Sequence, residues 1–192
     1  PIGTSTNKFA GDFDGNGHRV YNFAIEFTST GIPYLGFFGY AEGTAEDKTA
    51  ISDLTLQGRI VMDNGKSTVM AYSGGLVGYA KFAEISSVTV DVDITLVRTG
   101  GNWQNIGGIA GFATYGTSIT DSENLGDVSG YQYVGGIAGQ LSYGSSIVRS
   151  ANSGSISGNS YVGGLTGNVS STGTEALGVT HIINSYNTGS VA

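Results

Sequence analysis

A five-residue glycine motif recurs five times along this chain, and its spacing limits the possible folds more than any other feature. Four copies read Gly-Gly-x-x-Gly, and the first reads Leu-Gly-x-x-Gly. Measured between Gly36, Gly75, Gly108, Gly136 and Gly164, the steps are 39, 33, 28 and 28 residues. A fixed period of roughly 20–50 residues indicates stacked repeats, each too small to bury its own apolar face.

The match between repeats extends well beyond glycine. A shift of 28 relates Tyr115 to Tyr143, Ile119 to Ile147, Ser122 to Ser150, Asn124 to Asn152, Gly126 to Gly154, Val128 to Ile156, Gly130 to Gly158 and Tyr133 to Tyr161. The same pattern returns over 182–191 with a shift of 35, so about seven residues (35 − 28) are inserted near 170–180. Asn124, Asn152 and Asn187 share one register, and we expect them to form an asparagine ladder.

The polarity pattern predicts β-strands and no substantial helix. Apolar Val88, Val90, Val92 and Ile94 alternate with polar residues, which is the period of a strand with one wet face. No window has the 3.6-residue apolar spacing of a helix. We expect about three strands in each unit. A 28-residue unit is too short for a propeller blade of about 40 residues.

These observations predict an all-β fold, a right-handed parallel β-helix (β-solenoid) of about five to six coils. The right-handed winding follows from the crossover rule for parallel strands. We expect one domain over residues 1–192. Its first unit spans roughly 9–70, and the later coils are centred on Gly75, Gly108, Gly136 and Gly164.

Composition excludes several classes of function. The net charge is −7 and the 8 Lys and Arg residues are scattered, which is unsuited to binding a phosphate backbone, so no nucleic-acid partner is expected. No apolar run approaches the ~20 residues of a membrane span, so no direct membrane insertion is expected. Cysteine is absent, which excludes disulfides and thiolate zinc sites. The chain opens at Pro1, and we interpret it as a fragment of a larger protein whose flanking domains are partners.

The Gly-Gly-[Leu/Ile]-x-Gly units resemble the GLUG motif of bacterial surface proteins. Segment 9–18 resembles the opening that precedes such units, and the Ile-x-x-Ser-x-Asn-x-Gly-x-[Ile/Val] segments at 119–128, 147–156 and 182–191 are also similar to that family. The first unit departs from the pattern at Leu35. The resemblance implies a secreted or cell-surface bacterial protein: an adhesin-like repeat region, or the accessory region of an immunoglobulin-A-specific metallopeptidase. It implies no catalytic residue.

Two patterns resemble metal sites, but no metal or cofactor is predicted from either. Asp12, Asp14 and Asn16 have the spacing of half an EF-hand loop, yet Phe23 stands where a bidentate Glu is needed. We interpret the segment as a turn that enters the first strand, with a weak calcium site as the alternative. His18 and His181 are the only histidines and lack a His-Glu-x-x-His context.

The acidic residues offer one catalytic alternative. Asp91 and Asp93 lie two residues apart on one strand face, and Arg98 lies just beyond that strand. In a β-helix polysaccharide-degrading enzyme, such acids could bind calcium or act as acid and base. A solvated acidic face that discourages aggregation is the other interpretation.

Aromatic residues are the candidates for ligand contact. Trp103 lies in an insertion at 97–105, whose Arg98, Asn102, Gln104 and Asn105 could orient a polar ligand against its ring. Tyr115 with Tyr143 and Tyr133 with Tyr161 should stack on neighbouring coils. Such rings can contact sugars or extended peptides, or can simply pack coil on coil. We therefore expect a non-catalytic extracellular module, a rigid spacer or adhesive segment whose partner is a host or bacterial surface glycan or protein.

Overall fold

The chain consists of β-strands in three parallel sheets. The computed structural model describes residues 1–28, 31, 33–63, 70–97, 103–170 and 177–192. Every strand pairing within these ranges is parallel. The same ranges contain no α-helix, and therefore no helix of the length and apolarity needed to cross a bilayer. The predicted all-β character is confirmed.

The described residues form 22 strands, which divide among the three sheets. Sheet 1 contains β1 (Phe13–Phe27), β4 (Thr49–Met62), β7 (Ala83–Ser86), β8 (Thr89–Leu96), β11 (Ser118–Thr120), β12 (Glu123–Asn124), β13 (Val128–Ser129), β16 (Ser146–Val148), β17 (Ala151–Asn152), β18 (Ile156–Ser157), β21 (His181–Ile183) and β22 (Tyr186–Asn187). Sheet 2 contains β2 (Tyr34–Leu35), β5 (Ala71–Gly74), β9 (Gln104–Gly107), β14 (Gln132–Gly135) and β19 (Ser160–Gly163). Sheet 3 contains β3 (Phe38–Glu42), β6 (Val77–Lys81), β10 (Ala110–Thr114), β15 (Ala138–Ser142) and β20 (Thr166–Ser170).

In all three sheets, paired residues are separated along the chain by the spacing of the sequence repeat. Ile119 pairs with Ile147 in sheet 1, Val134 with Val162 in sheet 2, and Ala110 with Ala138 in sheet 3, each 28 residues apart. Beyond the insertion, Ile147 pairs with Ile182 at a distance of 35 residues. The predicted register is confirmed across the insertion, which leaves the stacking of neighbouring units unchanged.

The two units of 28 residues, those of Gly108 and Gly136, each contain five short strands where we expected about three. In the unit of Gly108, the chain forms β10, β11, β12, β13 and β14 in succession. Two of its corners lie at non-glycine residues in the left-handed region, Tyr115 (φ 52°) and Asp121 (φ 49°). Such residues give no glycine signal at a corner, which is why the sequence suggested fewer and longer strands.

The last glycine of the motif lets sheets 2 and 3 approach each other closely. A Cβ added at Gly111 would lie 2.6 Å from the backbone nitrogen of Ser73, and one at Gly139 would lie 2.2 Å from that of Ile106. Contacts under 3.0 Å are essentially never seen for a real Cβ. Any side chain at these positions would therefore force the two sheets apart.

The second glycine of the motif faces an asparagine of sheet 1. A Cβ at Gly136 would lie 2.3 Å from Cγ of Asn152, and one at Gly108 would lie 2.2 Å from Cγ of Asn124. Next to these glycines, Ile109 and Ile137 are fully buried in the core. The Gly-Gly turn thus carries the chain from sheet 2 to sheet 3 and leaves space for the asparagines beneath it.

The predicted asparagine ladder is confirmed. Nδ2 of Asn124 donates to Oδ1 of Asn152 at 2.7 Å, and Nδ2 of Asn152 donates to Oδ1 of Asn187 at 2.6 Å. Each amide also donates to the carbonyl oxygen two residues further on, at Gly126, Gly154 and Gly189 respectively.

The region predicted as the first unit holds two strands of sheet 1. β1 and β4 are long and pair with each other over 13–27 and 51–62, with shifts in register after Asp14 and after Val20. Ile2 also bridges to Phe38 in sheet 3. The residues before β2 therefore form a further layer on the stack.

Candidate ligand-binding surface

Three of the predicted contact residues form one row along sheet 2, which we call the Trp103 row (Trp103, Tyr133, Tyr161). The ring centroids of Trp103 and Tyr133 lie 5.7 Å apart, and Tyr133 stacks on Tyr161 at 4.9 Å. Trp103 is 56% exposed and Tyr161 58% exposed, whereas Tyr133 between them is buried. The row therefore offers two exposed aromatic rings on a buried support.

Local backbone geometry places the two tyrosines. Tyr133 (φ 48°) and Tyr161 (φ 53°) are left-handed residues inside β14 and β19. The pairing passes from Gln132–Ser160 directly to Val134–Val162, so the two tyrosines stand outside the ladder of paired residues. Burial, followed by the charge of Tyr161, raises the pKa of Tyr133, which is therefore neutral at ordinary pH.

The polar neighbours of Trp103 are not arranged as the sequence suggested. Gln104 and Asn105 are buried, at 0% and 1% exposure, so neither presents a donor to a ligand on the surface. Oε1 of Gln104 accepts from the backbone nitrogen of Tyr131 at 3.3 Å. Arg98 and Asn102, the other predicted donors of this loop, lie outside the described residues. The exposed rings, rather than a polar cage, distinguish this surface.

The other predicted tyrosine pair forms a separate row at the turn between sheets 3 and 1. Tyr115 stacks on Tyr143 with centroids 4.8 Å apart and planes at 5°, and Phe82 lies 5.6 Å from Tyr115. Nζ of Lys81 lies 5.0 Å from the Tyr115 centroid, within cation–π range. Both tyrosines are half-buried, and this row covers a corner of the stack.

A third aromatic group, which was not predicted, lies where sheets 2 and 3 meet near the first glycine motif. Its members are Tyr34, Tyr40, Tyr72, Tyr79 and Phe112. Tyr40 stacks on Tyr79 at 4.5 Å, and burial is the main reason that the pKa of Tyr40 rises to about 12. A signal existed, because Tyr40 and Tyr79 are 39 residues apart, the same as the first step between glycine motifs.

The acidic residues of the catalytic alternative have structural hydrogen bonds. Oδ2 of Asp91 accepts from Nε2 of Gln57 at 3.0 Å. Oδ1 of Asp93 accepts from the backbone nitrogen of Asp127 at 3.0 Å. Asp91 thus links β8 to β4, and Asp93 links β8 to the turn before β13. Their predicted partner Arg98 lies outside the described residues.

The calcium-like segment uses its oxygens on backbone groups. Oδ1 of Asp14 accepts from the backbone nitrogen of Asn16 at 2.7 Å, and Oδ1 of Asp12 accepts from that of Ala50 at 3.1 Å. Asn16 has a φ of 48°, and the segment forms an irregularity inside β1. The predicted turn therefore lies within the first strand, where we expected it to precede that strand.

The two histidines contact nearby backbone. Nδ1 of His18 lies 3.0 Å from the carbonyl oxygen of Gly15, and Nδ1 of His181 lies 2.8 Å from that of Val179. Within the described ranges, no three His, Asp or Glu side chains converge as a metal site would require.

Comparison with known proteins adds no relationship. No family model, no curated protein and no solved structure matches the chain. The features of this protein that bear on its function are therefore its own repeat, its stacking and its exposed rings.

Proposed function

We propose that this chain is a non-catalytic repeat module of a secreted or cell-surface bacterial protein, in which it acts as a rigid spacer that also binds a glycan. Its units would wind as a right-handed β-solenoid, the hand that crossover connections between parallel strands strongly favour. The parallel register of all three sheets supports this winding. The glycine motif, which resembles GLUG repeats, supports the class of parent protein.

The spacer role rests on how tightly neighbouring units are coupled. Each unit is joined to the next by strand pairing in three sheets and by buried side-chain ladders such as Asn124–Asn152. Glycines such as Gly139 bring sheets 2 and 3 into backbone contact. Because close-packed units resist bending and sliding, the stack is suited to holding flanking domains at a set separation.

The adhesive role rests on one observation: Trp103 and Tyr161 are exposed, and both rings pack against the buried Tyr133. Exposed indole and phenol faces gain free energy when they are covered by the apolar face of a sugar ring, and their hydroxyl and N–H groups can satisfy its hydroxyls. Since the support is rigid, little conformational entropy is lost on binding.

The test is binding of the full chain to a panel of host and bacterial surface glycans. We expect Trp103→Ala to abolish binding while the melting temperature stays close to that of the parent chain. Tyr186→Ala is the matched control, because Tyr186 is similarly exposed, at 61%, but lies in β22 of sheet 1. The proposal fails if no glycan binds, or if both variants bind as the parent chain does.

A polysaccharide-degrading enzyme is the second candidate, and one observation favours it. A cleft of about 160 Å³ lies on sheet 1 beside Asp91, lined also by Arg19, Tyr21 and Gln57. A carboxylate beside an arginine and an aromatic ring could hold an acidic sugar. Depolymerisation of acidic and neutral glycans, with and without calcium, and its loss in Asp91→Asn would favour this candidate over the spacer.

A further inference from the structure

The last repeat unit exposes positions that are buried in every earlier unit with which it pairs. Ile182 is 37% exposed, whereas its register partner Ile147 and the next partner Ile119 are both at 0%. Val191 is 47% exposed against 1% for its partner Ile156. We call this surface, formed by Val169, Ile182, Ser185, Asn187 and Val191, the end face.

The asparagine ladder leaves an unused donor on the end face. A side-chain amide has two N–H groups. In Asn124 and Asn152, one N–H donates within its own unit and the other donates to the next asparagine. Nδ2 of Asn187 donates only to the carbonyl oxygen of Gly189 among the described residues. Its second N–H therefore faces the position that a further asparagine oxygen would occupy.

A serine ladder beside the asparagines ends in the same way. The backbone nitrogen of Ser122 donates to Oγ of Ser150 at 3.2 Å, and that of Ser150 donates to Oγ of Ser185 at 3.1 Å. Within the described residues, the backbone nitrogen of Ser185 has no such hydroxyl. The end face thus requires a hydroxyl at one position and an amide oxygen two positions further on.

We propose that the end face binds an extended polypeptide segment that adds in parallel and carries this chain's own Ile-x-x-Ser-x-Asn pattern. The isoleucine covers Ile182, the serine hydroxyl accepts from Ser185, and the asparagine oxygen accepts from Asn187. Strand addition also satisfies the open backbone edge of β21 and β22. This inference is independent of the glycan-binding proposal.

A second copy of the chain does not supply this pattern through its opposite end. Following the pairing register from Asn124 through Val90 and Leu56 leads to Val20 in β1. A copy stacked in register would therefore place a valine against Asn187 and leave the amide N–H without an acceptor. The polar requirements of the end face select a repeat strand instead of β1.

The experiment titrates the full chain with a synthetic peptide of residues 146–158, which carries Ile147, Ser150 and Asn152. NMR resonances of the Asn187 side-chain amide and of the Ser185 N–H report binding at the end face. We expect both resonances to shift in a saturable way. A matched peptide with Asn152→Val should bind at least about tenfold more weakly, equivalent to ~1.4 kcal/mol, because it cannot accept the amide proton.

Two variants of the full chain test whether the peptide binds at the end face. Ile182→Lys should abolish the peptide-induced shifts, whereas Tyr21→Lys, in the strand at the other end of the stack, should leave them unchanged. Melting curves confirm that both variants fold. Absence of any shift, or equal binding of the two peptides, would overturn the proposal. Concentration-dependent self-association that perturbs these resonances without peptide would identify a second copy as the occupant and would also overturn it.

Discussion

Asn124 donates a side-chain N–H to the side-chain oxygen of Asn152, 28 residues further along the chain, at 2.7 Å. Both side chains are at 0% exposure, beneath the Gly-Gly turns of their units. A buried amide that lost this partner would have no water to replace it. The ladder therefore penalises any slip between neighbouring units and helps to hold their register.

Replacing the central asparagine should be costly. Asn152→Ala removes the acceptor of Asn124 and the donor to Asn187, and we expect a loss of about 1–3 kcal/mol in the free energy of unfolding. Denaturant midpoints measure the loss. Asn159→Ala is the control. Because the Asn159 side chain is exposed, this change should alter the free energy of unfolding by less than about 0.5 kcal/mol. Equal, negligible effects of the two changes would contradict a stabilising ladder.

The motif glycines should tolerate no side chain. In Gly136→Ala the new Cβ would lie 2.2 Å from the carbonyl oxygen of Gly164, so the units must move apart. We expect a destabilisation of about 1–3 kcal/mol or more, as for overpacked cores. Gly11→Ala is the matched control, since its Cβ would meet nothing within 4 Å. A lower melting temperature for Gly11→Ala than for Gly136→Ala would contradict the close packing around Gly136.

Truncating Trp103 should cost little stability. A core tryptophan contributes about 3–5 kcal/mol. Because the Trp103 side chain is 56% exposed, we expect Trp103→Ala to cost less than about 1.5 kcal/mol. Acrylamide should quench the fluorescence of this single tryptophan readily. A shielded indole together with a large loss of stability would instead mean that Trp103 covers the apolar interior.

The ion pairs of Glu42 with Lys8 and Lys81 should make the free energy of unfolding fall in acid. Burial alone would raise the pKa of Glu42, but hydrogen bonds from Lys8 and Lys81 and their charges outweigh burial and lower it. Its contribution is therefore present above the pKa of the unfolded chain and is lost as the pH falls through the lower folded pKa.

Glu42→Gln tests this contribution. The variant should lose roughly 1 kcal/mol at neutral pH and show a shallower decline in acid, measured as unfolding free energy against pH. Glu84→Gln is the control, because Glu84 is 60% exposed and lies 3.6 Å from Lys48. Identical pH profiles for Glu42→Gln and the parent chain would rule out the contribution of the lysine pair.

Calcium should leave the melting temperature unchanged. The oxygens of Asp12 and Asp14 accept backbone N–H bonds from Ala50 and Asn16, so binding an ion would require these contacts to break. Ligand at a hundredfold excess over Kd would add ~2.7 kcal/mol to stability. A rise in melting temperature in millimolar calcium that disappears in Asp14→Ala would contradict the structural interpretation of this segment.

Much of the architecture could be predicted from the sequence, because in stacked repeats the residues that pair recur along the chain at the repeat spacing. Ile119, Ile147 and Ile182 recur at the spacing at which they pair, and so do Asn124, Asn152 and Asn187. Parallel stacking places like residues on like, so a buried polar residue must recur together with its partner. The tyrosine stacks Tyr115–Tyr143 and Tyr133–Tyr161 follow from the same rule.

The sequence alone therefore determined the parallel pairing, the register and the identity of the ladders, because these depend on the period of the chain. The tertiary structure alone decided the five strands in the units of Gly108 and Gly136, the burial of Gln104 and Asn105 beside an exposed Trp103, and the approach of Trp103 to Tyr133. These depend on the direction of the chain at corners such as Tyr115 and Asp121, where non-glycine residues take a left-handed backbone conformation. They also depend on contacts between residues that are distant along the chain, and no local pattern encodes such contacts.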